Sequence, residues 1–341
     1  MTRASEWLSI GVLPAGTHNA ITDVPGVLVG HASLDEGRLH TGVTAVLPHG
    51  RDLYAEKVTA AAAVLNGYGK SVGMMQIEEL GTVETPILVT STFNVPRVAD
   101  ALLTILLERD PVIGESETIN PVVLECFDGY LNDARARPVG EREVRAAITS
   151  ARAGPVTEGC VGAGVGMRCQ GFKSGVGTAS RIVDPPGWTL GLLVVPNFGF
   201  PGDLIIAGVP VGRELSAVRQ PSERGSCVFV VATDAPLAPS DLRRVAWRCF
   251  LGMARTGSIS GQTSGDLAVA FSTDPSMVRP SRPAINALFR AAVEASEEAI
   301  LNAMFAARTM DGRDGHVMPA LPLAEVAALL SRHGVALRRQ P

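Results

Sequence analysis

Short β-branched runs and helix-period apolar stretches follow one another along all 341 residues of this chain, with no linker to part them. Such an interspersed order calls for a layered α/β unit, since each strand must find sheet neighbours and each helix a sheet face to cover. Residues 26–30, 41–48, 86–90, 188–195, 227–233 and 267–272 read as strands, apolar runs bounded by Gly, Pro, Asn or Ser. Pro86 opens its run, where a missing N–H is tolerated. Behind Pro96, the spacing of Val98, Leu102, Ile105 and Leu106 predicts a helix over 97–107. Further helices are predicted over 143–153, stopped by Gly154-Pro155, over 241–255, with Gly257 as its stop, over the alanine-rich 283–307, and over 324–333. The expectation is a single layered α/β domain spanning 1–341.

Composition narrows the function classes. Hydrophobic residues make up 46%, charged ones 19%, and the mean hydropathy is +0.21, which excludes disorder and fits a large core with subunit contacts. A net charge of −4, with no basic stretch interleaved with aromatics, argues against nucleic acid as a partner. No apolar run is long enough for a membrane helix. Met1-Thr2-Arg3-Ala4-Ser5-Glu6-Trp7 lacks the apolar centre of a secretory signal, so the expected location is cytoplasmic. The five cysteines are odd in number and never spaced C-x-x-C, and the six histidines are scattered without H-E-x-x-H. Buried thiols are expected rather than disulfides or zinc, and no metal or cofactor is called for. The glycine-dense stretch 159–177 spells neither G-x-G-x-x-G nor a P-loop, and reads as close packing and turns.

Several segments carry groups that chemistry could use. Glu223-Arg224-Gly225-Ser226 is a polar loop running straight into the apolar Cys227-Val228-Phe229-Val230-Val231. Cutting the Gly225–Ser226 bond would give Ser226 a hydroxyl and an α-amine together, an N-terminal nucleophile, although Gly-Ser before a strand is also ordinary turn chemistry. Gly69-Lys70-Ser71-Val72-Gly73 matches the bare G-x-S-x-G pattern, but Asn66-Gly67-Tyr68 separates it from the preceding apolar run. Ser264 and Asp266 lie two apart at the entry to a strand, where a carboxylate can back a hydroxyl in moving a proton, or where both can simply make a turn. Asn197, at the end of a strand, could donate to an oxyanion or cap a turn. Lys173 is a single charge among glycines, and Glu125 opens a polar segment with Asp128-Gly129-Tyr130-Leu131-Asn132-Asp133 whose carboxylates could hold an ammonium.

Taken in order along the chain, these segments resemble the family of L-aminopeptidase/D-esterases and β-peptidyl aminopeptidases. The resemblance is carried by Asn19-Ala20-Ile21-Thr22-Asp23-Val24-Pro25-Gly26, Thr41-Gly42-Val43-Thr44, Asn66-Gly67-Tyr68-Gly69, Asp128 to Asp133, Gly171-Phe172-Lys173-Ser174-Gly175, Asn197-Phe198-Gly199, Gly225-Ser226 and Ala232-Thr233-Asp234-Ala235-Pro236-Leu237. It implies an αββα sandwich like that of N-terminal-nucleophile hydrolases but differently connected. It also implies self-cleavage into 1–225 and 226–341, and an oligomeric assembly. By position, Ser226 is the implied nucleophile, Ser264 and Asp266 the supporting hydroxyl and acid, and Asn197 the oxyanion donor. Tyr130 and Glu125 are the implied substrate-binding residues, and Lys173, either a solvated loop lysine or an electrostatic element, is expected to bind substrate with them. The family usually carries glutamate where this chain has Asp266, one methylene shorter. The implied activity is release of small amino-terminal residues from peptides, amides or esters. Alternative readings are an amide-oligomer hydrolase of the nylon type, whose junction residue is threonine, and an uncleaved, catalytically silent small-molecule binder.

Overall fold

The computed structural model describes residues 2–215 and 225–338; the junction residues Glu223 and Arg224 lie outside them. In chain order the elements begin with α1 (Ala4–Trp7), β1 (Leu28–Glu36), β2 (Leu39–Leu47), β3 (Val58–Gly67), α2 (Met74–Leu80), β4 (Thr82–Val83), β5 (Ile87–Ser91), α3 (Val95–Arg109), β6 (Val122–Cys126) and α4 (Glu141–Thr149). A small hairpin of β7 (Arg168–Cys169) and β8 (Phe172–Lys173) leads to β9 (Gly177–Val183) and β10 (Trp188–Asn197). Then come β11 (Ser226–Thr233), α5 (Pro239–Arg255), β12 (Gly265–Ser272), α6 (Arg282–Phe305), the hairpin β13 (Met310–Asp311) and β14 (Val317–Met318), and α7 (Leu323–Arg332).

Two sheets stack face to face. One has the order β1-β2-β5-β6, the other β4-β3-β12-β11-β10-β9. Val46, Val89 and Leu124 of the first meet Ala62, Leu193, Val228, Val230, Val269 and Phe271 of the second in a buried apolar middle layer. The alternate residues Cys227, Phe229 and Val231 point the other way, into a core built with α5 and α6, while Val43, Ala45 and Leu88 pack against α3 and α4. Strands covered on both faces read as continuous apolar runs, which is why the second half of the sequence announces them so clearly. The order of layers is αββα, as the resemblance implied.

The chain direction of a few strands positions the site. β11 and β12 are parallel, pairing Ser226 with Gly265, whereas β10 and β3 run antiparallel to them, pairing Asn197 with Ser226 and Gly67 with Gly265. Two strand beginnings and two strand ends therefore meet at one rim of the larger sheet. The end of β6 reaches the same region, where the Cys126 thiol donates to the Val195 carbonyl at 3.1 Å and ties the two sheets together.

The strands β3, β6 and β9 and the helix α2 had no counterpart in the sequence expectation, and two predicted elements end elsewhere than expected. The helix predicted over 143–153 is Glu141–Thr149: Glu143 accepts from the Gly140 N–H at 3.0 Å and starts it early. It stops short because Arg152 leaves to exchange both backbone hydrogen bonds with Val29, each 3.1 Å, at the edge of the smaller sheet. The strand expected over 26–30 runs on to Glu36, because β2 offers an unbroken partner through the polar residues 31–36.

Candidate active site

The strand ends enclose a cleft of about 490 Å³ lined by Ser226, Gly225, Glu125, Thr92, Lys70 and Thr263, with Tyr68, Phe93 and Phe127 as its aromatic wall. Phe93 and Phe127 meet edge to face with ring centres 6.1 Å apart. Ser226 is 3% exposed and opens β11, so its backbone is fixed by ladders on both sides before its side chain is considered.

Beside it lies a buried carboxylate. Ser264 donates to Asp266 Oδ1 at 2.7 Å, and Ser260 donates to Oδ2. Burial pushes the Asp266 pKa up, and the two hydroxyls with the Cys227 N–H work against that rise. Because Ser264 commits its proton to Asp266, its oxygen is left to accept from a further donor. The shorter side chain thus reaches its serine, and a second hydroxyl, Ser260, completes the set.

Asn197 is clamped at both ends of its amide: Nδ2 donates to the Phe127 carbonyl at 2.7 Å and Oδ1 accepts from the Arg168 N–H at 3.2 Å. It stands next to Ser226 in the ladder but is not part of the cleft lining. Glu125, 2% exposed, does line the cleft. Its Oε1 accepts from the Lys70 N–H at 2.9 Å and its Oε2 from the Thr92 hydroxyl. Burial raises its pKa, opposed by those donors and by the Lys70 charge at longer range. Glu125 and Asp266 are both held by neutral donors, with no ion pair to either among the described residues.

The remaining candidates are placed differently. Tyr130 is absent from the cleft lining; its ring stacks on His316 at 4.6 Å and lies under the Arg168 guanidinium at 4.5 Å. Lys173 is corrected by its surroundings. It is wholly buried away from the cleft, donating to the carbonyls of Met167 at 2.8 Å, Gly164 at 3.3 Å and Ser174, so its three N–H groups serve the fold rather than a substrate. Ser71 sits in a loop between β3 and α2 rather than on a strand-to-helix elbow, and does not line the cleft.

Residues 19–318 match the family described as Peptidase family S58. The chain belongs to peptidase family S58. It is 40% identical to the β-peptidyl aminopeptidase BapA of Sphingosinicella microcystinivorans, over 93% of this chain and 89% of that protein. Its fold superposes on the PH0078 protein of Pyrococcus horikoshii OT3 with a TM-score of 0.93 at 46% identity, covering 98% and 99% of the two chains. The L-aminopeptidase D-Ala-esterase/amidase of Ochrobactrum anthropi, described as a prototype for the serine aminopeptidases and a variant among the Ntn hydrolase fold, gives a TM-score of 0.90 at 35% identity, covering 98% and 100%. This S58 chain is accordingly a hydrolase of the serine aminopeptidase type, acting on peptide and amide bonds on that variant fold. The catalytically silent part of the small-molecule-binder alternative falls with that membership.

Sequence reasoning missed Ser260, Thr92, Lys70, Phe93 and Phe127. Thr92 was legible as the hydroxyl closing a strand. Phe93 and Phe127 were not, because two lone aromatics separated by 33 intervening residues announce no common wall.

Proposed function

We propose that this peptidase cuts its own Gly225–Ser226 bond and then uses Ser226 as an N-terminal nucleophile to release small amino-terminal residues from short peptides, amides and esters. The observation that carries the reading is the meeting, in one cleft, of a strand-initial serine with a buried glutamate that accepts only from the Lys70 N–H and the Thr92 hydroxyl.

The chemistry follows from the positions. Gly225 abuts the backbone of Asn197 so closely that a Cβ there would lie 1.8 Å from the Asn197 carbonyl oxygen, so only glycine fits at the bond to be cut. Ser226 Oγ attacks the Gly225 carbonyl, the ester formed is opened by water, and the chain separates into 1–225 and 226–341. The freed α-amine, with a pKa near ~7.7–8.0 when unperturbed, takes the hydroxyl proton in later turnovers. Ser264, its own proton on Asp266, accepts from the Ser226 group, and Asn197 fixes the rim on which Ser226 stands. Glu125 receives the substrate ammonium, which supplies the counter-charge the folded chain leaves out. Lys173 has no part in this reading, and Tyr130 acts at most by bracing Arg168 and hence Asn197.

The relatives' names refer to β-peptidyl, L-amino and D-alanyl ester substrates, which supports a free amine next to the cleaved carbonyl as the common requirement. Serine rather than threonine at the junction favours the aminopeptidase over the amide-oligomer reading. The proposal includes a cytoplasmic location, supported by five free cysteines, and a homo-oligomer, supported by the exposed Val64, Leu65 and Ile259. Denaturing electrophoresis tests the core of it: the 35.7 kDa chain should give two fragments, the smaller beginning at Ser226, and Ser226→Ala should stay whole and inactive. A fragment beginning elsewhere, or undiminished hydrolysis by Ser226→Ala, would overturn the assignment.

A further inference from the structure

The geometry points to the backbone N–H of Gly265 as the oxyanion donor of this site, first in self-cleavage and then in hydrolysis; the inference rests on Ser226 being the nucleophile. Gly265 N donates to the Gly225 carbonyl oxygen at 3.1 Å. That oxygen belongs to the bond that Ser226 would break, and both residues are buried, so water does not compete for the donor.

A second, independent feature puts the hydroxyl at the same place. A Cβ built on Gly265 would fall 3.2 Å from Ser226 Oγ and 3.0 Å from both the nitrogen and the α-carbon of Gly69. The attacking oxygen therefore lies over the bare α-carbon of the residue whose N–H holds the carbonyl under attack. Asn197 is less free to do this work, with one amide hydrogen already given to Phe127 and its side chain outside the cleft lining.

The electrons can be followed through each step. A lone pair of Ser226 Oγ forms the C–O bond to Gly225, and the carbonyl π pair moves onto the oxygen held by Gly265 N–H. Collapse breaks the C–N bond, and the proton lost by Oγ ends on the departing nitrogen, which becomes the Ser226 α-amine. Water then opens the ester, returning the hydroxyl and leaving Gly225 as a carboxylate. When that carboxylate departs, the Gly265 N–H is a buried donor without an acceptor. The scissile carbonyl of a substrate fills the vacancy, so the chain's own Gly225 defines the pose that substrates adopt.

Replacing Gly265 by glycolate in cell-free synthesis exchanges this N–H for an ester oxygen and keeps the shape. Self-cleavage should slow by about 100-fold or more, the range seen when one oxyanion donor is lost, while the melting temperature and near-ultraviolet dichroism stay those of a folded chain. The matured fraction should lose kcat on an aminoacyl amide with KM little changed. Wild-type cleavage alongside an equally fast glycolate chain would overturn the role of Gly265 and leave self-cleavage standing; an uncut wild type would overturn self-cleavage itself. Should the glycolate chain misfold, the wild type decides: an aminoacyl aldehyde adding to Ser226 should move the Gly265 amide proton downfield, and an unmoved proton would overturn the inference.

Discussion

Two buried polar clusters in this molecule obey opposite rules. Near the amino terminus, Arg181 reaches Glu298 at 2.6 Å and Glu294 at 3.4 Å while donating to the carbonyls of Ser180 and Ile10, and Arg3 reaches Glu158 at 2.7 Å. There each acid has its cation inside the fold. Glu125 in the cleft and Asp266 behind its rim are as deeply buried but receive only hydroxyls and backbone N–H groups. A buried carboxylate costs free energy unless it is paired, and the folded chain pairs the first set and leaves the second set waiting. An acid left waiting at the floor of a cleft is one whose cation arrives with the substrate.

The largest way to break the comparison is to remove the cation of the first cluster. Arg181→Met leaves Glu298 without its cation and Glu294 with only the looser Arg290 contact at 3.7 Å, and should cost about 3–5 kcal/mol of stability, read as a drop in denaturation midpoint. The kcat of the molecules that remain folded should be that of the wild type. The corresponding change in the cleft does the reverse. Glu125→Gln should leave the midpoint near or above its original value while lowering kcat/KM for substrates with a free amine by about 100-fold, about 2.7 kcal/mol. Turnover of N-acetylated esters should be indifferent to it. If Glu125→Gln unfolds the chain and Arg181→Met inactivates it, the division between structural and functional acids is wrong.

The layers were legible because the physics that makes them is local. Val228 to Val231 alternate between two cores, and such double burial writes an uninterrupted apolar run. The Ser264 and Asp266 pair was legible too, since the two lie two residues apart where the chain enters β12. What the sequence did not show was convergence. Ser260 reaches Asp266 from a loop, and Thr92 reaches Glu125 from the turn that closes β5, the neighbouring strand, across 33 positions. Lys173 misled for a related reason: a lone charge among glycines looks exposed, and only the fold brings three carbonyls around it. The end of α4 failed similarly, because its stop is set by Val29 pairing with Arg152, a tertiary event, rather than by Gly154.

The smallest effect, and the one that separates the clusters most cleanly, is pH. Glu158 is raised from 4.5 to about 7 because burial outweighs the Arg3 charge and the Thr178 N–H. A carboxyl with a raised folded pKa keeps its proton when the unfolded chain has lost it. Between pH 4.5 and about 7 the unfolded state therefore binds fewer protons, and stability falls as pH rises, levelling above that window. Glu158→Gln should flatten this slope in denaturation curves and leave the activity profile untouched. Glu125 is also raised by burial, but it must be ionised to hold an ammonium, so kcat/KM should rise with pH along a limb displaced above the usual glutamate range. Glu125→Gln should abolish that limb and leave the stability slope in place. One acid then reports its protonation through folding and the other through binding, as expected if only the second lacks its cation until substrate arrives.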